Sequence, residues 1–214
     1  MKRILWFILL IEVLFTTITS CGGRLSYDER LVMTDSLLQD NPDSALAMID
    51  ALAADSLTTE GDRAYRDLLL TQARYKAYVT ATSDSDINRA LAYFCAHPTD
   101  REKLTRAYIY KGAVMAELGH PDSAMLYYKH AEATAAPDDY FNQGYSKMRI
   151  GELYQGFLSN NHDSAVITRL YEAIKCFKAL RDTNYLIVTY GILGAIYYSH
   201  QPDSAKTYLN QAIT

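Results

Sequence analysis

Histidine, cysteine and the Asp-Ser pair are the side chains in this sequence best suited to chemistry, and their spacing decides what they do. Histidines at 120, 162 and 200 each stand within three residues of an Asp-Ser-Ala phrase. Three imidazoles can hold a zinc ion, but these fall in successive structural units ~10 Å apart, and one zinc needs its ligands within ~2.1 Å. His97 and His130 are isolated, with no second ligand four residues away. An Asp-Ser pair can orient a nucleophile, yet a catalytic pair need occur only once and this one occurs four times. The sequence has no glycine-rich phosphate loop, no nucleophile elbow and no Cys–His pair with a third orienting group. Asp138-Asp139 reads as charge at a helix start rather than as an acid–base dyad. The expectation is a protein without catalytic residues, metal or cofactor.

A repeat positions these residues. Asp-Ser-Ala stands at 43–45, 122–124, 163–165 and 203–205, in steps of 79, 41 and 40 residues. The long step is nearly two units, with a degenerate copy over Asp86-Ile87-Asn88-Arg89-Ala90. A fixed period of this size is the signature of stacked helical units. From Tyr27 onward apolar residues recur at helical spacing with no period-2 strand. Ten helices in five antiparallel pairs are predicted: 26–39 and one opening at Asn41-Pro42-Asp43, 61–82 and 87–96, 101–118 and 121–135, 139–158 and 163–181, 184–199 and 202–213. The phrase itself marks second-helix starts. A proline in the first turn loses no hydrogen bond. The Asp beside it favours the positive helix end by ~0.3–1 kcal/mol, and the alanine lets the partner helix come close.

Composition is ordinary for a soluble protein, at 49% hydrophobic and 21% charged; the 18 tyrosines suit aromatic packing positions in helical repeats. Lys2 and Arg3 precede an apolar stretch, Ile4 to Phe15, broken only by Glu12. That is the layout of a secretory signal, short of the ~20 apolar residues of a spanning helix. Ile18-Thr19-Ser20-Cys21 resembles a bacterial lipobox. The resemblance implies a signal peptide over 1–20, a lipidated Cys21 as mature N-terminus and a tether over 21–25. Acyl chains such as palmitate would then hold the chain to a membrane, each buried methylene contributing ~0.8 kcal/mol. No acidic run follows Cys21, so the expected address is the periplasmic face, at the outer membrane rather than the inner. Formal charge is −4, and no block of Lys or Arg follows residue 20, so nucleic acid is not an expected partner. Export implies an oxidising compartment. Cys95 and Cys176 nevertheless fall about two units apart, beyond the ~7 Å limit of a bridge, and each is expected as a small buried apolar residue.

The stretch AYIYKGAVMAELGHPDSAMLYYKHAEATAAP, residues 107–137, resembles a tetratricopeptide repeat (TPR). Tyr108 stands at the large aromatic position, Gly112 at the close-contact glycine and Gly119 in the turn. Ala124, Tyr128 and Ala131 follow in the second helix, and Pro137 comes one place late. Lys111 and Met115 replace the usual leucine and tyrosine. Residues 189–213 repeat the register through Tyr190, Leu193, Gly194, Tyr197, Ala205, Leu209 and Ala212. Between them Ile150, Gly151 and Tyr154 are kept, while the second helix offers two registers, Ala165 or Ala173 with Phe177. The resemblance is specific over about 101–214 and weak before that.

It implies an all-α, right-handed α-solenoid of about five antiparallel helix pairs over 26–214. The period near 40 exceeds the ~34 of the standard repeat. First helices of such arrays line a groove. In this register Arg106, Ala113 and Glu117, then Tyr145, Arg149, Glu152 and Gln155, then Tyr198, face it. Such a set suits a protein or peptide partner met through charge-assisted bonds and aromatic contact. The whole is similar to the exported repeat region of bacterial membrane-anchored TPR regulators. The expected function is a non-catalytic, membrane-anchored scaffold that binds a protein or peptide on the periplasmic side. The alternatives are a sensory or regulatory repeat domain whose output domain is missing or separate, and a glycan-uptake lipoprotein. The last pair lacks a polar capping helix, so Ile196, Tyr208 and Ile213 are expected to lie open to an end-to-end contact.

Overall fold

The computed structural model describes residues 27–157, 164–198 and 201–213. The expected signal peptide, Cys21 and its tether, and His162 and His200 lie outside the described residues. Among those described the chain is all-α, with ten helices and no strand. The helices are α1 (Glu29–Leu37), α2 (Pro42–Ala51), α3 (Glu60–Lys76), α4 (Ser85–Ala96), α5 (Arg101–Glu117), α6 (Pro121–Thr134), α7 (Tyr140–Phe157), α8 (Ser164–Leu180), α9 (Thr183–Tyr197) and α10 (Pro202–Ile213). A single 3₁₀ turn, Ala54–Ser56, lies between α2 and α3.

Odd-numbered and even-numbered helices differ in the residues at their starts. Every odd-numbered helix opens on a side-chain cap: Asp28, Thr59, Asp100, Asp139 and Asp182 accept the backbone N–H of Arg30, Asp62, Lys103, Asn142 and Tyr185. Each such bond satisfies a donor that the first turn leaves unpaired. Three even-numbered helices open on Pro42, Pro121 and Pro202, each followed by an Asp in the first turn, and at α2 Asn41 also accepts the backbone N–H of Ser44.

Helix α3 ends at Lys76, six residues before the expected stop. Tyr78 takes φ +58°, its N–H reaching Tyr75 O while Val79 N–H reaches Arg74 O. This paired closure with a left-handed residue is a Schellman end. Gly119 (φ +80°) closes α5 the same way, and Arg181 (φ +56°) closes α8.

Glycines set the spacing inside a pair. A Cβ on Gly112 would lie 2.6 Å from the Tyr128 ring of α6, and one on Gly194 2.8 Å from Leu209 of α10. On Gly151 it would run into Leu170 of α8. Leu170, Ala173 and Phe177 are fully buried and Ala165 is exposed, which settles the open register of that unit. Ala45, Ala90, Ala124 and Ala205, from the recurring phrase and its degenerate copy, are buried as well, as is Tyr154. Tyr108 is half-buried and stacks on His130. Lys111, the departure from the repeat pattern, is buried with its ammonium 2.5 Å from Asp84. Cys95 and Cys176 are free. Cys176 is buried as expected, but Cys95 is exposed, because the inward face of α4 is taken by Ile87, Ala90 and Phe94.

Each helix packs mainly on the one before and the one after it. The odd-numbered helices also touch one another, α1 to α3, α3 to α5, α5 to α7 and α7 to α9. The even-numbered ones reach across by long side chains, as Arg169 of α8 does to Glu132 of α6 at 2.9 Å. One row is therefore closer-packed than the other. Units that are not neighbours also meet: Arg106 pairs with Asp35, and Tyr27 donates its hydroxyl to Asp100. Contacts between non-neighbouring units depart from the expectation of units that touch only their neighbours.

Candidate functional site

Four tyrosines run along the closer-packed row: Tyr75 of α3, Tyr110 of α5, Tyr145 of α7 and Tyr185 of α9, at steps of 35, 35 and 40 residues. Counted from the capping residue of its helix, the tyrosine falls at place 16, 10, 6 and then 3. The row thus crosses the stack obliquely. Tyr75 and Tyr110 meet edge to face with centroids 5.8 Å apart, and Tyr145 and Tyr185 do so at 5.4 Å, a favoured ring geometry. Burial pushes all four hydroxyls above their ordinary pKa.

Beside the row, Arg106 forms a two-pronged pair with Asp35 at 2.6 and 2.8 Å, and also bonds Glu102 and Gln72. Tyr65 donates its hydroxyl to the same Asp35. Burial raises the Asp35 carboxyl, but the Arg106 guanidinium and the Tyr65 hydroxyl outweigh it and hold the group below the usual carboxylate range. Arg149 lies between the Tyr75 and Tyr128 rings, 5.5 and 5.7 Å from their centroids, and pairs with Glu152.

The groove residues expected from the register therefore separate into two groups. Arg106, Tyr145 and Arg149 are committed to the protein's own interior. Glu117, Gln155 and Tyr198 are exposed and Glu152 is half-exposed. Glu117 accepts the backbone N–H of Ala81.

What remains open is a cavity of about 520 Å³ walled by Gln39, Tyr75, Lys76, Glu117, Tyr145 and Tyr185. Tyr78 and Asn184 stand on its rim. The Lys76 ammonium donates to Gln39 Oε1 at 2.6 Å, and among the described residues no carboxylate is in ion-pair range of it. Burial, reinforced by the charge of Arg106, pulls its pKa below the ordinary lysine value. Tyr78 is 95% exposed and held at positive φ, a conformation costing ~1–2 kcal/mol for a residue with a Cβ. Sequence reasoning named Glu117 and Tyr145 but missed Gln39, Tyr75, Lys76, Tyr78, Asn184 and Tyr185 as site residues. The tyrosine spacing was a usable signal, whereas nothing local ties Gln39 to a residue so far along the chain.

Among the described residues no three His, Cys, Asp or Glu side chains gather into a metal-holding group. No described helix is long and apolar enough to cross a membrane. In comparisons with known proteins, no family model matches the chain and no curated protein matches it in sequence.

Proposed function

We propose that this protein is a non-catalytic scaffold, a TPR-like right-handed α-solenoid tied by lipid on Cys21 to the periplasmic face of the outer membrane. Its cavity along the odd-numbered helices holds a segment of a protein or peptide partner. Lys76 carries this reading. An ammonium half-withdrawn from water, flanked by tyrosine rings and lacking a carboxylate, suits an acidic side chain or a terminal carboxylate next to an apolar residue. Tyr78 supports it, since a strained, exposed aromatic on a cavity rim is a feature that folding alone does not favour.

The test is photo-crosslinking in membranes, with a benzophenone amino acid placed at position 78 or, as control, at exposed position 50. A discrete adduct from position 78 that disappears with Lys76→Glu is expected. Equal labelling from both positions, or an adduct indifferent to Lys76→Glu, would sink the reading. The anchor is checked separately, by mass spectrometry for fatty acid on Cys21 and by release of a Cys21→Ser chain from membranes.

A further inference from the structure

Another cavity, of about 660 Å³, lies between the first half of α3 and the last half of α4, with helix pairs before and after it along the chain. Its two ends differ. At one, Asp67 of α3 accepts Arg89 Nε of α4 at 2.7 Å and Arg66 Nη1 at 3.4 Å, and Asp86 holds Arg89 from the other side at 2.6 Å. At the other, the Tyr93 ring reaches from α4 so near α3 that a Cβ on Gly61 would stand 2.7 Å from its hydroxyl. The same ring stacks on His97 with centroids 4.1 Å apart. Between these ends Arg63 and Arg66 stand one turn apart on α3, while Ala92 and Ala96 line the α4 side and are exposed. Arg63 Nη1 donates to Leu57 O at 2.9 Å and Arg66 Nε to Leu52 O at 2.6 Å, so main-chain carbonyls fix both guanidiniums. A guanidinium has five N–H donors. Arg63 uses that one, and among the described residues no carboxylate is in ion-pair range of it. With His97 neutral, three guanidiniums stand against the carboxylates of Asp67 and Glu60, so the wall is net positive in a chain of formal charge −4.

We infer that this cavity binds a small organic monocarboxylate with an apolar body. Arg63 and Arg66 take the carboxylate through their unused N–H groups, whose planar fork matches its two oxygens. The apolar body lies on the Tyr93 ring and the methyls of Ala92 and Ala96, where small side chains leave it room. Glu60 stands at the tyrosine end, beside Gly61, and so directs the charged group of the ligand toward the arginines. The surplus of one positive charge suits a monoanion. A phosphate monoester would set its second charge against Asp67 and Glu60. The volume is that of a small-molecule site, roughly 300–1,000 Å³. This inference stands independently of the cavity at Lys76.

Isothermal titration of the full chain in mild detergent with 2-naphthoate, blanked against detergent alone, tests it. Saturable one-to-one binding is expected, with the neutral 2-naphthamide at least ~10-fold weaker. Arg63→Gln should weaken naphthoate binding ~10-fold or more. Ala92→Leu, which fills the apolar side from an exposed position, should weaken it as well, with every guanidinium in place and helical content unchanged. Lys76→Glu, which removes the cation of the other cavity, should leave the affinity as it was. No binding by ~10 mM naphthoate, an affinity unmoved by either Arg63→Gln or Ala92→Leu, equal binding of the amide, or loss of binding with Lys76→Glu would each overturn it.

Discussion

Two glycines show how far the surroundings of a residue decide the outcome of one substitution. At Gly112 an alanine methyl meets the buried Tyr128 ring, itself held by Arg149. Overpacking there should exceed the gain in helix propensity, for a net loss of ~1–2 kcal/mol in Gly112→Ala. At Gly191 the added methyl enters open space, so in dilute solution Gly191→Ala should gain ~0.5–1 kcal/mol. Denaturant titration of both variants measures the contrast. Asp35 is the residue whose loss should be felt farthest. Asp35→Asn removes the charge facing Arg106 and should cost ~2–3 kcal/mol, since Glu102 and Gln72 still hold the guanidinium. Because the folded-state pKa of Asp35 is lowered, its contribution is complete above the ordinary carboxylate value of about 4. It is lost as pH falls through the lowered value. The Asp35→Asn chain should lack that part of the acid slope in a series of thermal melts. The register placed Arg106 facing a groove, whereas the structure buries it against Asp35 and Gln72. That pairing was not legible, because no local pattern connects residues 71 apart.

Helix starts were written plainly in the chain, and helix ends less so. Proline, Asp and Asn at the first turns fixed where α2, α6 and α10 begin, and apolar spacing fixed which face turns inward. The stop of α3 was missed because Tyr78 takes a backbone conformation usually left to glycine. Arg181 does the same at the end of α8, where Gly119 at the end of α5 has the residue the geometry favours. Arg181→Gly should therefore stabilise the protein by ~1 kcal/mol, read as a higher melting temperature. An unchanged or lower melting temperature would mean that the Arg181 side chain contributes more than its strain costs.

At the scale of the molecule, the sequence period conveyed successive helix pairs but not the contacts between pairs that are not neighbours. Asp35 to Arg106 and Tyr27 to Asp100 are ties of that kind, joining units that the repeat spacing places apart. The oblique row of rings has a consequence for the protein in alkali. Burial holds the phenols of Tyr75, Tyr110, Tyr145 and Tyr185 protonated above the ordinary value of about 10. Stability is then complete below the ordinary value and falls as pH climbs toward the raised ones, because the unfolded chain releases those protons first. The tyrosinate absorbance of these four rings should accordingly appear only together with loss of helical ellipticity, and replacing the four by Phe should remove that final rise. Full tyrosinate absorbance with the helices intact would mean that water already reaches the inner rings.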